Sequence, residues 1–161
     1  MIGAQVELNN AEQRLARFMA RSRMDNAIKR GITNAQVGSQ DRFDIDLEGY
    51  GAELAFCKLF NVYPDMSIVA DPSADRTGDA IWMGKTVDVK TTRYKTGRLL
   101  AVRWKQKKDL YALMVGTFPK YEFRGMATGD ELIRQENLTD LGHGEGYALG
   151  QHQLKGANNV N

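Results

Sequence analysis

The sequence predicts a mixed α/β fold, a mixed β-sheet flanked by helices. Three stretches carry that prediction. "LEGYGAELAFCKLF" has helical periodicity, "DAIWMGKTVDVKT" reads as two short strands around a turn, and "YALMVGTF" is the most apolar run and has strand length. The chain has 161 residues, 42% of them hydrophobic and 26% charged, enough for one domain with a sizeable core. The resulting order of helices and strands favours a sheet with helices packed on it.

Residues 7–30 read as a helix, capped by Asn9 or Asn10, with Leu15, Phe18, Met19 and Ser22 at helical spacing and Gly31 as its stop. Residues 33–46 are polar and read as loop. A second helix spans Leu47 to Phe60, and its Tyr50, Leu54 and Cys57 share a face with Glu53. A short strand, "MSIVA", precedes a loop rich in Asp with one Pro. The hairpin strands are then Asp79–Trp82 and Thr86–Thr91. "LLAVRW" reads as a strand, "KQKKDL" as a turn or short helix, "YALMVGTF" as the central strand, "YEFRGMAT" as another strand and "GDELIRQ" as a helical turn. The organisation is a basic helix and loop over 1–46, a core over 47–137, and a Gly- and Asn-rich arm over 138–161, expected to be extended with a frayed end, all within one compact unit.

No apolar run has the length of a bilayer span, and the first residues lack the basic-then-apolar pattern of a secretory signal, so no membrane partner and a cytoplasmic location are expected. The single cysteine, Cys57, forms no internal disulfide and reads as a small core residue. A net charge of +2 neither demands nor excludes nucleic acid; the clustering of the basic residues matters more.

The hairpin raises a chemical question. Alternation places Asp88 and Lys90 on one face and Val87 and Val89 on the other. With Met83-Gly84 as a two-residue turn, Trp82 pairs with Lys85, Ile81 with Thr86, Ala80 with Val87 and Asp79 with Asp88. Two carboxylates would then stand about 5 Å apart at Cβ, which is destabilising unless a cation lies between them. A bulge would slip that register by one. Glu53, an acid within an apolar helical stripe, is costly to bury without a partner and would complete the set. Three carboxyl groups plus the backbone carbonyl of Val89 suit a hard cation such as Mg²⁺, with Mn²⁺ as a substitute. Lys90 adds a positive charge beside it, and together they have the chemistry to hydrolyse a phosphodiester.

"GD" at Gly78–Asp79, "DVK" at Asp88–Lys90 and "GYGAE" ending at Glu53 resemble the PD-(D/E)XK nuclease superfamily, over roughly Tyr50 to Leu132. The resemblance implies a restriction-endonuclease-like core, metal binding by Asp79 and Asp88, Lys90 as the catalytic lysine and Glu53 as the assisting helix acid. Glu48 is a rival for that last role, and Gly78 stands where the motif's name has proline. "DVK" is the chain's only acid-x-Lys match with that context.

Other basic residues bear on the substrate. "RWKQKK" places Arg103, Lys105, Lys107 and Lys108 around Trp104 and Gln106, a pattern suited to phosphate contacts and base stacking. Arg93 follows the catalytic lysine. Arg14, Arg17 and Arg21 form a stripe that would track a DNA backbone or remain a solvated face. "GHGEG", with His143 and Glu145, reads as a surface loop. The expectation is a Mg²⁺-dependent DNA endonuclease serving phage-type recombination, replication or degradation, in the host cytoplasm if viral, with a homodimer open as an arrangement. A non-catalytic nucleic-acid-binding module, an RNA-directed nuclease and a structural or inhibitory protein are the competing readings.

Overall fold

A computed structural model describes residues 1–29, 31, 41–68 and 78–160. It is a mixed α/β fold. Five strands, β1 (Gln5–Glu7), β2 (Ala80–Trp82), β3 (Lys85–Thr92), β5 (Leu110–Thr117) and β6 (Lys120–Thr128), form one sheet in the order β1-β6-β5-β3-β2. Only β3 and β5 run parallel; the other neighbours are antiparallel. Strands β4 (Leu99–Val102), β7 (Leu138–Asp140) and β8 (Glu145–Leu149) form a second, antiparallel sheet in the order β4-β8-β7.

Helices α1 (Asn10–Lys29) and α2 (Arg42–Phe60) cover one face of the five-stranded sheet. Asn9 caps α1: its side-chain oxygen accepts from the Glu12 N–H at 2.9 Å while Glu12 accepts from the Asn9 N–H at 2.6 Å. Asp41 caps α2 by accepting from the Asp44 N–H, and Asn61 closes its far end in the left-handed conformation. The core on this face gathers Met19, Tyr50, Phe56, Val87, Val89, Ala112, Met114 and Phe123. On the other face Tyr111, Leu113, Val115 and Ala127 pack against Leu99, Ala101, Leu132, Leu149 and Leu154. Alternate residues of β5 thus enter two different cores, which is why its sequence is apolar without a break.

Several local expectations differ from the structure. Residues 5–7 pair with β6 as a strand, so the first helix starts later, at Asn10. Phe18 is exposed, and the buried side of α1 is built from Ala16, Met19, Ala20 and Ala27. The second helix begins at Arg42, inside the stretch read as loop; residues 32–40 of that stretch lie outside the described residues. Met66, Ser67 and Ile68 form no strand, and the rest of "MSIVA" lies outside the described residues. "LLAVRW" is a strand only to Val102 and belongs to the second sheet. "KQKKDL" forms no helix.

The C-terminal segment departs furthest. In place of an extended arm it supplies β7 and β8, bridges Met126 through Lys155, and buries Leu149, Leu154 and Val160. Residues 142–144, with His143, form an exposed bend between these strands, as expected, whereas Glu145 is the exposed first residue of β8.

Candidate active site

The hairpin has the expected register as far as it runs: Ala80 opposite Val87, Ile81 opposite Thr86 and Trp82 opposite Lys85. Met83 and Gly84 both have positive φ, 50° and 76°, the signature of a type I′ turn. The ladder ends before Asp79. The Asp79 N–H donates to the Val87 carbonyl at 2.8 Å, and its side chain turns across to accept the Val89 N–H at 2.7 Å. Asp79 and Asp88 therefore meet as side chains at the end of β2, rather than as a ladder pair.

Gly78 makes that departure feasible. It has φ +69°, and a Cβ there would lie 2.6 Å from the Val87 carbonyl oxygen. Any side chain is excluded, so the residue before Asp79 is glycine for steric reasons. Gly78→Ala is expected to destabilise the fold by more than about 1 kcal/mol, read as a lower urea midpoint. An unchanged midpoint would mean that the backbone at Gly78 relaxes freely.

Asp88 and Lys90 share a face, as alternation requires. Their side chains form an ion pair at 2.9 Å. Both are more than two-thirds shielded, at 16% and 27% side-chain exposure. Burial pulls the Lys90 ammonium's pKa down, but Asp88 outweighs it, with help from Asp79 and Tyr111, and leaves the lysine above its ordinary value. Lys90 is thus a firmly protonated cation at neutral pH.

Burial raises the Asp79 carboxyl well above its usual range. The charges of Glu53 and Asp88 and a hydrogen bond with Asp88 push it further up, against the Val89 N–H. Burial likewise raises Glu53, to about 7; Asp88 and Asp65 add to the rise and Arg23 opposes it. Three carboxyl groups from α2, β3 and the Gly78–Asp79 corner thus feel one another's charge. Glu53 makes no direct bond to either aspartate; its partner is Arg23, at 3.4 Å.

The rival acid is used elsewhere. Glu48 accepts from the Phe118 N–H at 2.9 Å and from the Tyr121 hydroxyl at 3.2 Å, which ties α2 to the β5–β6 connection. Cys57 is buried, and burial pushes its thiol up to about 12, helped by Glu53 and Asp79. It remains a neutral core residue, not a nucleophile.

Two participants were not anticipated. Arg23 bonds the Ser67 carbonyl at 2.9 Å and the Asp65 carbonyl at 3.2 Å, lies 4.7 Å from the Tyr50 ring centroid, and pairs with Glu53. It sits four residues from Met19 and from Ala27 on the buried side of α1, so a cation there needed acidic partners just as Glu53 needed a basic one. Tyr111 stands opposite Asp88 on β5, accepts from the Lys108 N–H at 3.0 Å and interacts electrostatically with Asp88, Lys90 and Lys107. It links the hairpin pair to the basic loop.

That loop is exposed from Arg103 to Lys107, with Trp104 at 72%. Lys105 lies 5.5 Å from the Trp104 ring centroid. Arg103 pairs with Glu145 at 2.9 Å and Lys107 with Asp130 at 2.6 Å. Gln106 is exposed, whereas Lys108 is buried and does not belong to this surface. Arg93 stacks on Tyr94 at 5.8 Å. On α1, Arg14 and Arg17 line a surface depression of about 410 Å³, Arg17 stacks over Phe118 at 5.2 Å and Arg21 over Phe43 at 4.8 Å. Among the described residues none of these three arginines bonds Glu53, Asp79 or Asp88.

As placed, no three His, Cys, Asp or Glu side chains among the described residues form a ready-made metal cluster. The fit to a divalent cation is one of donor chemistry. Asp79 and Asp88 within hydrogen-bond reach need a shared proton or a cation, and all the donors are hard oxygens. The Val89 N–H points to the edge that β2 has left, and in a β-strand a residue's carbonyl points to the same edge as its N–H.

The class defined by this fold and site is a mixed α/β protein with a buried carboxyl cluster beside a paired lysine. Residues 2–131 match a family of unknown function, DUF5843, and the chain belongs to that family. No curated protein and no solved structure matches it.

Proposed function

We propose that this protein is a divalent-metal-dependent DNA endonuclease with a restriction-endonuclease-like, PD-(D/E)XK core. The observation that carries the reading is the Asp88–Lys90 ion pair beside the Asp79 carboxyl, at the point where β2 leaves β3. A neutral core has no use for such a set, and burying it uncompensated is costly.

In this reading Asp79, Asp88, Glu53 and the Val89 carbonyl would hold Mg²⁺ or Mn²⁺, which neutralises phosphate charge and acidifies a bound water. The chain's own residues do the rest. Lys90, held protonated by Asp88, places a positive charge against the phosphate and donates to its oxygens as negative charge builds. Asp79 fixes the Val89 backbone through its N–H, which sets the spacing between the corner and β3. Arg23 keeps Glu53 anchored and ties α2 to the 65–67 segment. Water attacks phosphorus and gives up a proton to solvent as the new P–O bond forms, the ester P–O bond to the leaving oxygen breaks, and that oxygen takes up a proton from solvent.

The test is incubation of supercoiled plasmid and of circular single-stranded DNA with the purified protein in Mg²⁺, Mn²⁺ or EDTA. Nicked or linear product in either metal and none in EDTA is expected. Both DNAs intact under every condition would overturn the nuclease reading.

A further inference from the structure

Two loops flank the ends of β3, one between β3 and β4 and the other between β4 and β5. The 93–98 loop follows β3 and carries Tyr94, 67% exposed, with Arg93 against its ring. The 103–109 loop returns to the start of β5, beside the start of β3, through bonds between Thr86 and Asp109, and carries Trp104, 72% exposed, with Lys105 against its ring. Each loop thus presents one solvated aromatic with a cation at its side. Arg93, Lys95, Arg98 and Lys105 have no acidic partner among the described residues. Exposed rings of this size contribute nothing to the core, so their stability value is small, and cations without acids leave their charge for an anion.

Asp88 and Lys90 lie between the two loops on β3, whose end leads into the 93–98 loop and whose Thr86 bonds Asp109 of the other. From Thr86 to Thr92 the strand rises about 20 Å, the reach of a few extended nucleotides. A duplex hides the faces of its bases in its stack and offers phosphates and groove edges, neither of which calls for a stacking ring. Two outward aromatics are useful to a polymer whose bases are free to stack on them.

We propose that the substrate is an unpaired strand of DNA, laid along β3 with one base stacked on Trp104 and another on Tyr94, and its backbone phosphates met by Arg93, Lys95, Arg98 and Lys105. This rests on the nuclease reading for what happens at Lys90, and the binding itself does not depend on it. The strand passes the Asp88–Lys90 pair between its two stacked bases. A gap, flap, bubble or single-stranded end would expose such a stretch; continuous duplex would not.

Fluorescence anisotropy in EDTA isolates binding from cutting. The probes are a labelled oligothymidylate and the same strand annealed to oligodeoxyadenylate. The single strand is expected to bind at least about tenfold more tightly than the duplex, with the difference falling about tenfold in Trp104→Ala or Tyr94→Ala and kept in Trp104→Phe. Equal or tighter duplex binding would overturn the proposal, as would a single-strand affinity unchanged in the Trp104→Ala, Tyr94→Ala double variant. Both side chains are exposed, so folding of the variants is checked directly by circular dichroism. Circular single-stranded DNA and plasmid that both stay intact in Mg²⁺ while the single-strand preference holds would defeat the nuclease reading and leave this one standing.

Discussion

Lys90→Met is expected to lower metal-dependent DNA cleavage by at least about 100-fold while the protein stays folded. The magnitude follows from removing one charged donor from a shielded site in which it meets developing negative charge. Methionine keeps the length and apolar stem of the side chain, which is partly buried, and deletes the ammonium paired with Asp88. The measurement is the initial cleavage rate of circular single-stranded DNA and of supercoiled plasmid, with circular dichroism as the control for folding. Lys90→Arg separates charge from shape: a guanidinium keeps the positive charge but presents a planar fork in place of a point charge, so partial activity is expected. Full activity in Lys90→Met would remove the lysine from the chemistry and leave its pair with Asp88 as a purely structural contact.

The second large effect concerns stability and has the opposite sign. Burial raises Glu53 from its ordinary 4.5 to about 7, so the folded chain binds that proton more tightly than the unfolded chain does. The associated stability is complete below pH 4.5, falls as pH rises, and is lost above 7. Its size is about 3 kcal/mol. Asp79 is raised in the same sense, which extends the decline. In EDTA, the wild-type melting temperature is therefore expected to drop between pH 5 and 8. Glu53→Gln should flatten that decline and melt higher than wild type at pH 8, while cutting DNA poorly. A variant profile parallel to the wild-type one would show that Glu53 is not protonated in the fold. Mg²⁺ should recover stability at pH 8 in the wild type more than in the variant, because a cation offsets the same repulsion that the substitution removes.

The site was legible in the sequence where one local rule governed it. Asp88 and Lys90 share a face because strand alternation leaves no other arrangement, and Glu53 stood out as an acid inside an apolar helical stripe. The two-residue turn was readable because Met83-Gly84 lies between alternating strands, although the corner at Asp79 was not: the ladder's end depends on Gly78 meeting the Val87 backbone. Arg23 obeys the same rule as Glu53 in reverse, yet it was hidden among Arg14, Arg17 and Arg21, whose spacing drew attention to the exposed side of α1. The C-terminal strands were hidden by composition. Gly146 resembles linker, but a Cβ there would lie 2.6 Å from the Ala101 carbonyl oxygen, so that glycine permits close strand packing. Lys108 was grouped with its basic neighbours by sequence, whereas the chain turns it inward to a buried position. Helix–sheet composition is a local property; which strand a glycine lies against is not.

The pairing of β4 with β8 sets the order in which this chain assembles. Leu99 waits for Leu149, and Ala101 for Tyr147, while the hairpin and the β5–β6 pair need only nearby partners. Closing the loop between β4 and β8 is entropically expensive and comes after local pairs have formed. As a chain emerges from the ribosome, the carboxyl corner and β3 are complete first, and the face bearing Leu113 and Val115 stays open until β8 arrives. The site is therefore laid down early, and the later-made β8 is what closes the apolar layer over Leu113 and Val115.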